Sequence, residues 1–297
     1  MPAAPAIETF ALTKRYRRTV ALRDLSVVIP QGGLTALLGP NGAGKSTLMK
    51  VCVGFERPTG GRLAVMGIDP VRRRADALRR IGYVPQLPSL YRDLTIDAHL
   101  ALAAALRPGF DTAHARSRLA ALGIPPRAVA SQLSGGQQAQ ISLAIALGTR
   151  APVLLLDEPL ASLDPLARRE FLLVARDAAR TGDVSVVLSS HVISEIEPVA
   201  DRVIVLGEGR VLYQDSVAAA LASHRVEAPD AITPAMDVVA QFPGHGDAWH
   251  ALVRSADPGI GRAASLEDVV IGYFALGRGG HAADASSSRE SSVGAAA

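Results

Sequence analysis

Apolar residues gather in short runs near the start of the chain. Ala6–Leu12, Ala21–Ile29 and Gly61–Met66 are bounded by Gly and Pro and predict strands. Leu34–Leu38 is continuously apolar, as in a strand buried on both faces, and a glycine-rich turn separates it from a helix-like stretch, Ser46–Val53. Ile81–Val84 predicts another short strand, closed by Pro85-Gln86. From residue 88 to about 150 the pattern changes to a mostly helical insert. Leu94–Leu106 and Thr112–Leu122 have helical spacing, and Pro108-Gly109 and Pro125-Pro126 punctuate them. Strand signals return at Val153–Leu156, Val184–Leu188 and Val203–Leu206, with a helix-like Leu166–Ala179 between the first two. Short apolar strands alternating with helices predict an α/β fold around a mostly parallel sheet. Beyond residue 222 the signal weakens to one strand, Ala248–Arg254, and a terminal helix, Leu266–Leu276, before an end rich in Gly, Ser and Ala. The expected division is therefore a domain over 1–222, a small accessory segment over 223–277 and a disordered tail over 278–297.

Composition narrows the classes. The 297 residues are 48% hydrophobic and 20% charged, which suits a globular chain and excludes a mostly disordered one. Mean hydropathy is +0.22, yet no apolar run approaches the roughly 20 residues of a membrane-spanning helix. Cys52 is the sole cysteine, so an intrachain disulfide and a multi-cysteine metal site are excluded, and its apolar neighbours mark it as core. The N-terminal Met1-Pro2-Ala3-Ala4-Pro5 lacks the charged-then-apolar order of a secretory leader, which favours the cytoplasm. A net charge of +3 does not mark a nucleic-acid binder, and no nucleic-acid partner is expected.

The chemistry starts at Gly39-Pro40-Asn41-Gly42-Ala43-Gly44-Lys45-Ser46, which fits G-x-x-x-x-G-K-[ST] between a predicted strand and a predicted helix. Glycines let backbone N–H groups ring a phosphate, and the helix start adds unpaired donors and partial positive charge. Lys45 is one of three lysines, with Lys14 and Lys50, and supplies a compact full charge for the β and γ phosphates. The Ser46 hydroxyl is a hard oxygen ligand suited to Mg²⁺. Val153-Leu154-Leu155-Leu156-Asp157-Glu158-Pro159 is a buried-strand pattern ending in two carboxylates. Ligands of open α/β sheets sit beyond the carboxyl ends of the strands, so Asp157 is placed to organise Mg²⁺ and Glu158 to take a proton from an attacking water. Two more strand ends, Gln86 and His191, can reach the same crevice. The amide could hold Mg²⁺ or a water, and the imidazole could donate to a γ-phosphate. Leu133-Ser134-Gly135-Gly136-Gln137 opens a helix-like Gln138–Leu147. Ser-x-x-Gln is a capping box, but the two glycines suggest close approach to something and a second anion site.

Gly39–Ser46, Gln86, Leu133–Gln137, Leu156–Glu158, Ala161–Asp164 and His191 occur in the order and approximate spacing of the ABC ATPases. They resemble that family's Walker A, Q-loop, signature, Walker B, D-loop and H-loop over roughly residues 6–222. Tyr16 is similar to the aromatic that stacks on adenine, and Thr47 falls among the nucleotide-binding positions. The resemblance implies a P-loop NTPase core of ABC type with an N-terminal antiparallel β subdomain, a helical subdomain and a small C-terminal extension. It implies ATP and Mg²⁺, hydrolysis, and a second subunit, expected to be identical. Ser134, Gly135, Gly136 and Gln137 would then contact the ATP held by the other copy, and Asp164 would link the two sites. A separate integral membrane permease is implied, engaged by a helical segment around Leu87–Ile96, with the chain peripheral on the cytoplasmic face. The pattern looks closest to subunits of ABC-2 type exporters. The rival is a non-transport ABC ATPase acting on ribosomes or DNA, but no heptad run lies between Lys45 and Asp157. Two departures stand out: Gln138-Ala139-Gln140 where the family often has basic residues, and Ala161-Ser162-Leu163-Asp164 for the commoner Ser-Ala-Leu-Asp.

Overall fold

The structure, a computed structural model, describes residues 4–87, 90–180, 182–244 and 248–279. The chain divides into two units, at 214/215 rather than the expected 222/223. The tail expected to be disordered lies outside the described residues from 280 on.

The first unit opens with β1 (Ile7–Tyr16) and β2 (Thr19–Ile29), followed by β3 (Leu34–Leu38), α1 (Lys45–Cys52), β4 (Gly60–Val65), α2 (Arg74–Leu78) and β5 (Ile81–Val84). The insert carries α3 (Ile96–Leu106), α4 (Thr112–Ala121) and α5 (Gly135–Gly148). Then come β6 (Val153–Asp157), α6 (Pro165–Arg180), β7 (Ser185–Ser190), α7 (Ile193–Ile196), β8 (Arg202–Gly207) and β9 (Arg210–Ser216). Two sheets form. β2-β1-β4 is antiparallel, and β5-β6-β7-β3-β8-β9 is joined by parallel ladders from β5 through β8. The continuous apolar runs read as doubly covered strands are just that: every residue of β3, β6 and β7 is buried.

One core joins both sheets to α1. Leu12, Leu22 and Leu25 of the antiparallel sheet, Met49 and Cys52 of α1, and Leu37 and Leu155 of the parallel sheet pack in a single cluster. The insert has its own core of Ile96, Leu100, Leu119, Ile124 and Ile141. The helical segment expected around Leu87–Ile96 is corrected: residue 87 and residues 90–95 are not helical, and α3 begins only at Ile96. Thr95 explains the late start: its side chain caps α3 by accepting from Ala98 N at 3.2 Å.

The second unit contains α8 (Val217–Ala222), β10 (His224–Glu227), β11 (Val238–Pro243), β12 (Trp249–Arg254), β13 (Arg262–Ala263) and α9 (Leu266–Gly277). Its antiparallel sheet runs β11-β12-β10-β13. β10 and β11 had no clear signal in the sequence. His224 occupies a core position, with its ring nitrogens toward Ala220 O at 2.9 Å and Tyr273 Oη at 3.2 Å.

Burial pushes the Cys52 thiol up to about 12, far above an ordinary free cysteine near 8.5. At pH 8 the folded chain should therefore take up almost no iodoacetamide, and denaturant should expose one full equivalent, as mass spectrometry of the alkylated chain would read.

Candidate functional site

Parallel register brings the strand ends together. Leu38 lies opposite Ser190, and Asp157 opposite Ser189, so β3, β7 and β6 finish at one level. The loop after β3 turns at Gly44, which caps α1 with φ 103°, a conformation glycine adopts freely. A Cβ there would stand 2.6 Å from Ala21 O and 2.8 Å from Leu22 Cδ2, so β2 seats this turn only because it has no side chain.

The loop and α1 wall a cleft of about 470 Å³. Tyr16, Asn41, Gly42, Ala43, Gly44, Lys45, Ser46, Thr47, Gln86 and Glu158 line it, together with Thr19, Val20 and Ala21 of β2. Gly39 and Pro40 contribute backbone carbonyls instead, accepting from Lys45 Nζ at 2.6 and 3.3 Å. Lys45 is buried and pairs with Glu158 Oε1 at 3.1 Å. That carboxylate oxygen is shielded from solvent, and the lysine meets it without hydrogen-bond geometry, so it remains an unfilled acceptor. The other oxygen, Oε2, faces His191 Nδ1 at 2.8 Å. Glu158 has φ 47°, a left-handed conformation costly for a side chain with a Cβ, and its N–H is anchored to Ser189 Oγ at 2.8 Å.

Behind the cleft, Ser46 Oγ donates to Asp157 Oδ1 at 2.9 Å, and Ser189 Oγ donates to the same oxygen at 2.9 Å. Burial, and then the negative charge of Asp157, push the Tyr83 hydroxyl well above its ordinary value. At the opposite end, Lys14 Nζ lies 4.7 Å from the Tyr16 ring centroid and 2.7 Å from Glu56. Burial, then the Glu56 carboxylate, raise the Tyr16 hydroxyl.

The structure thus brings together Tyr16, Gly39–Thr47, Gln86, Asp157, Glu158 and His191. Sequence reasoning missed Ser189, Tyr83 and the β2 residues Thr19–Ala21. The only sequence cue for Ser189 is the polar Ser189-Ser190 pair ending an apolar strand just before His191. Ser134, Gly135, Gly136, Gln137 and Asp164 do not line the cleft. Ser134 accepts from Gln137 N at 3.2 Å while the Gln137 side chain returns to Ser134 N at 3.0 Å, a full capping box on α5. Gly135 and Gly136 press on the 161–164 turn, where an added Cβ would meet Ser162 Cβ or Leu163 Cδ2 at 3.2 Å. Asp164 caps α6 by accepting from Ala167 N at 3.0 Å. Among the described residues no cluster of three or more His, Cys, Asp or Glu could hold a metal ion by itself. The Ser46 hydroxyl, Asp157 carboxylate and Gln86 amide are hard oxygen donors of the kind Mg²⁺ takes alongside phosphate and water, so the set fits that ion.

A family model described as "ABC transporter" matches residues 22–161. The sulfate/thiosulfate import ATP-binding protein CysA of Yersinia pseudotuberculosis is 32% identical over 267 residues, covering 86% of this chain and 70% of that protein. Among solved structures, an ATP-binding subunit of an ABC transporter superposes with a TM-score of 0.67 at 27% identity, over 72% of this chain and 91% of that one. A dimeric ATP-binding cassette bound to ADP and phosphate shares the fold at a TM-score of 0.65 and 24% identity, over 71% of this chain and 98% of that one.

Ser189→Ala would strand Glu158 N–H and remove one of the two serine donors to Asp157 Oδ1. The expected result is a loss of about 1–3 kcal/mol of stability, read as a lower calorimetric unfolding temperature, while Ser190→Ala serves as the neighbouring control.

Proposed function

The chain belongs to the family of ABC transporter ATP-binding subunits, which are ATPases, and we propose that it drives solute import through a separate membrane permease. The observation that carries this reading is one cleft where the lysine, the hydroxyl–carboxylate pair and the carboxylate–imidazole pair converge. Among the described residues no helix is long and apolar enough to cross a membrane, consistent with a subunit that engages a permease. Import is the direction carried by the CysA relative, whose matched span, 86% of this chain, is too long for residues 1–214 alone and extends into the second unit. The expectation of an ABC-2 type exporter is set aside, because the similar import protein shares sequence across both units.

In this reading the phosphates of ATP occupy the ring of N–H groups over Gly39–Thr47, and the adenine stacks on Tyr16. Lys45 leaves the Gly39 and Pro40 carbonyls for the β and γ oxygens, a charge-assisted exchange that the buried site strengthens. Ser46, Asp157 and Gln86 would hold Mg²⁺, which supplies neutralising charge at the phosphates. Glu158 Oε1, the unfilled acceptor, takes a proton of the attacking water as the water's oxygen bonds to the γ-phosphorus and the bond from phosphorus to the β–γ bridging oxygen breaks. His191 holds Glu158 through Oε2, and Ser189 holds its backbone. Ser134, Gly135, Gly136 and Gln137 complete the site of a second, identical subunit, and Asp164 joins the two sites.

Lys45→Ala should weaken ATP binding on the order of 10- to 100-fold, since it removes a charge-assisted contact, as titration with a fluorescent ATP analogue would report. Glu158→Gln should keep native affinity, lose about 100- to 10,000-fold in turnover, and accumulate as an ATP-bound dimer by light scattering. Turnover near the native rate in that variant would remove Glu158 from the proton-transfer role. Ser134→Arg should abolish dimer formation while leaving single-chain ATP affinity intact. For the direction of transport, the chain co-purified with its permease and reconstituted in vesicles should accumulate solute from the side opposite the ATPase.

A further inference from the structure

Arg118 on α4 reaches α5. Its Nη2 donates to Gln140 Oε1 on α5 at 2.8 Å. Gln140 is only 4% exposed and follows within two turns of the helix start at Gly135. Burial lowers the proton affinity of the guanidinium, and the negative charge of Glu170 on α6 opposes that in part.

The joint is incompletely satisfied. Arg118 Nε and Gln140 Nε2 are both shut away from solvent, and neither has an acceptor among the described residues. Buried donors without acceptors are costly, and a purely structural contact between α4 and α5 would be served better by apolar side chains. Their place gives the cost a purpose. α5 begins with Ser134–Gln137, and α6 begins just after Asp164. The start of α5 presses on the turn before α6, Gly135 on Ser162 and Gly136 on Leu163, and Gln140, held by Arg118, lies further along α5. A small rotation of the insert would move α5 against α6 and carry the two unfilled donors relative to Glu170.

We propose that Arg118 is a positioning residue that holds α5 through Gln140 and takes Glu170 as its second acceptor when the ATP-loaded dimer closes. This rests on the reading that Ser134–Gln137 act on the other subunit's ATP. Arg118 contributes nothing to the nucleotide cleft itself. It sets the angle at which the start of α5 is presented beside the Asp164 turn.

The test uses the full chain and three variants: Arg118→Lys, which keeps the charge but loses the planar fork, Glu170→Gln on an exposed side chain that folding does not need, and the double substitution. ATP affinity of the single chain should stay within about twofold of native, because neither residue lines the cleft, while kcat falls about fivefold or more in each single variant. The double variant should fall no further than the weaker single one, and in a Glu158→Gln background the ATP-driven dimer should need correspondingly more ATP. Native kcat in both single variants overturns the proposal, as do losses that multiply in the double variant or an affinity loss that accounts for the fall in rate. A native chain that binds ATP yet neither hydrolyses it nor dimerises overturns the transport-ATPase reading first, and the Arg118 role with it.

Discussion

Register between three parallel strands is the constraint on which the site depends. β3, β7 and β6 are buried on both faces, so the alternation of apolar and polar positions that fixes half-exposed strands is missing here. Polar contacts at the strand ends do the pinning instead. At the entry, Gly32 N donates to Ser185 Oγ at 2.9 Å and Leu34 N to Asp201 Oδ2 at 2.7 Å. At the exit, Ser189 Oγ binds Asp157 Oδ1 and receives Glu158 N–H. A slip of one residue would break both ends and turn Asp157 away from Ser46. The serine that aligns the sheet also orients both carboxyl-bearing residues, so fold stability and site geometry share one hydroxyl.

The second consequence is electrostatic. Burying Lys45 and Glu158 in contact strips both of water, and their attraction offsets that only in part. The pair is further short of hydrogen bonds, since Glu158 Oε1 has no donor in good geometry. An incoming polyanion relieves the lysine, and an incoming water satisfies the carboxylate. The free-energy gain on binding therefore comes from groups already desolvated and held by His191, Ser189 and two backbone carbonyls, which is the meaning of preorganisation at this site.

Much of this was legible because the chemistry tolerates few residue types. The loop at Gly39–Ser46 needs small residues for its backbone, one ammonium and one hydroxyl, and Asp157-Glu158 must end a buried strand. Strands and helices of the first unit followed from apolar runs whose length matched their burial. Less was legible where polar residues take core roles. β10, His224-Arg225-Val226-Glu227, shows one apolar residue in four, and its inward histidine is held by Ala220 and Tyr273 from distant positions. Ser189 looked like any serine at a strand end, and Tyr83 like a core aromatic, because their partner Asp157 sits on a neighbouring strand.

The proposed two-chain reading follows from where the start of α5 lies. In a single chain the cleft has a phosphate cradle, a basic side chain and a carboxylate, and no residue of the α5 start lines it. The start of α5 lies elsewhere, exposed, with its cap closed by Ser134 and Gln137 and its glycines set against Ser162 and Leu163. The capping box satisfies one first-turn donor of the helix and leaves the others free. The cap is complete without the glycines, and what calls for them within the chain is their close approach to Ser162 and Leu163. In the two-chain reading proposed above, these exposed donors, standing apart from the polyphosphate cradle found among the described residues, would take an anion held by another copy. In the proposed reading hydrolysis would depend on two chains meeting, and that dependence would couple phosphate-bond cleavage to a motion of the assembly.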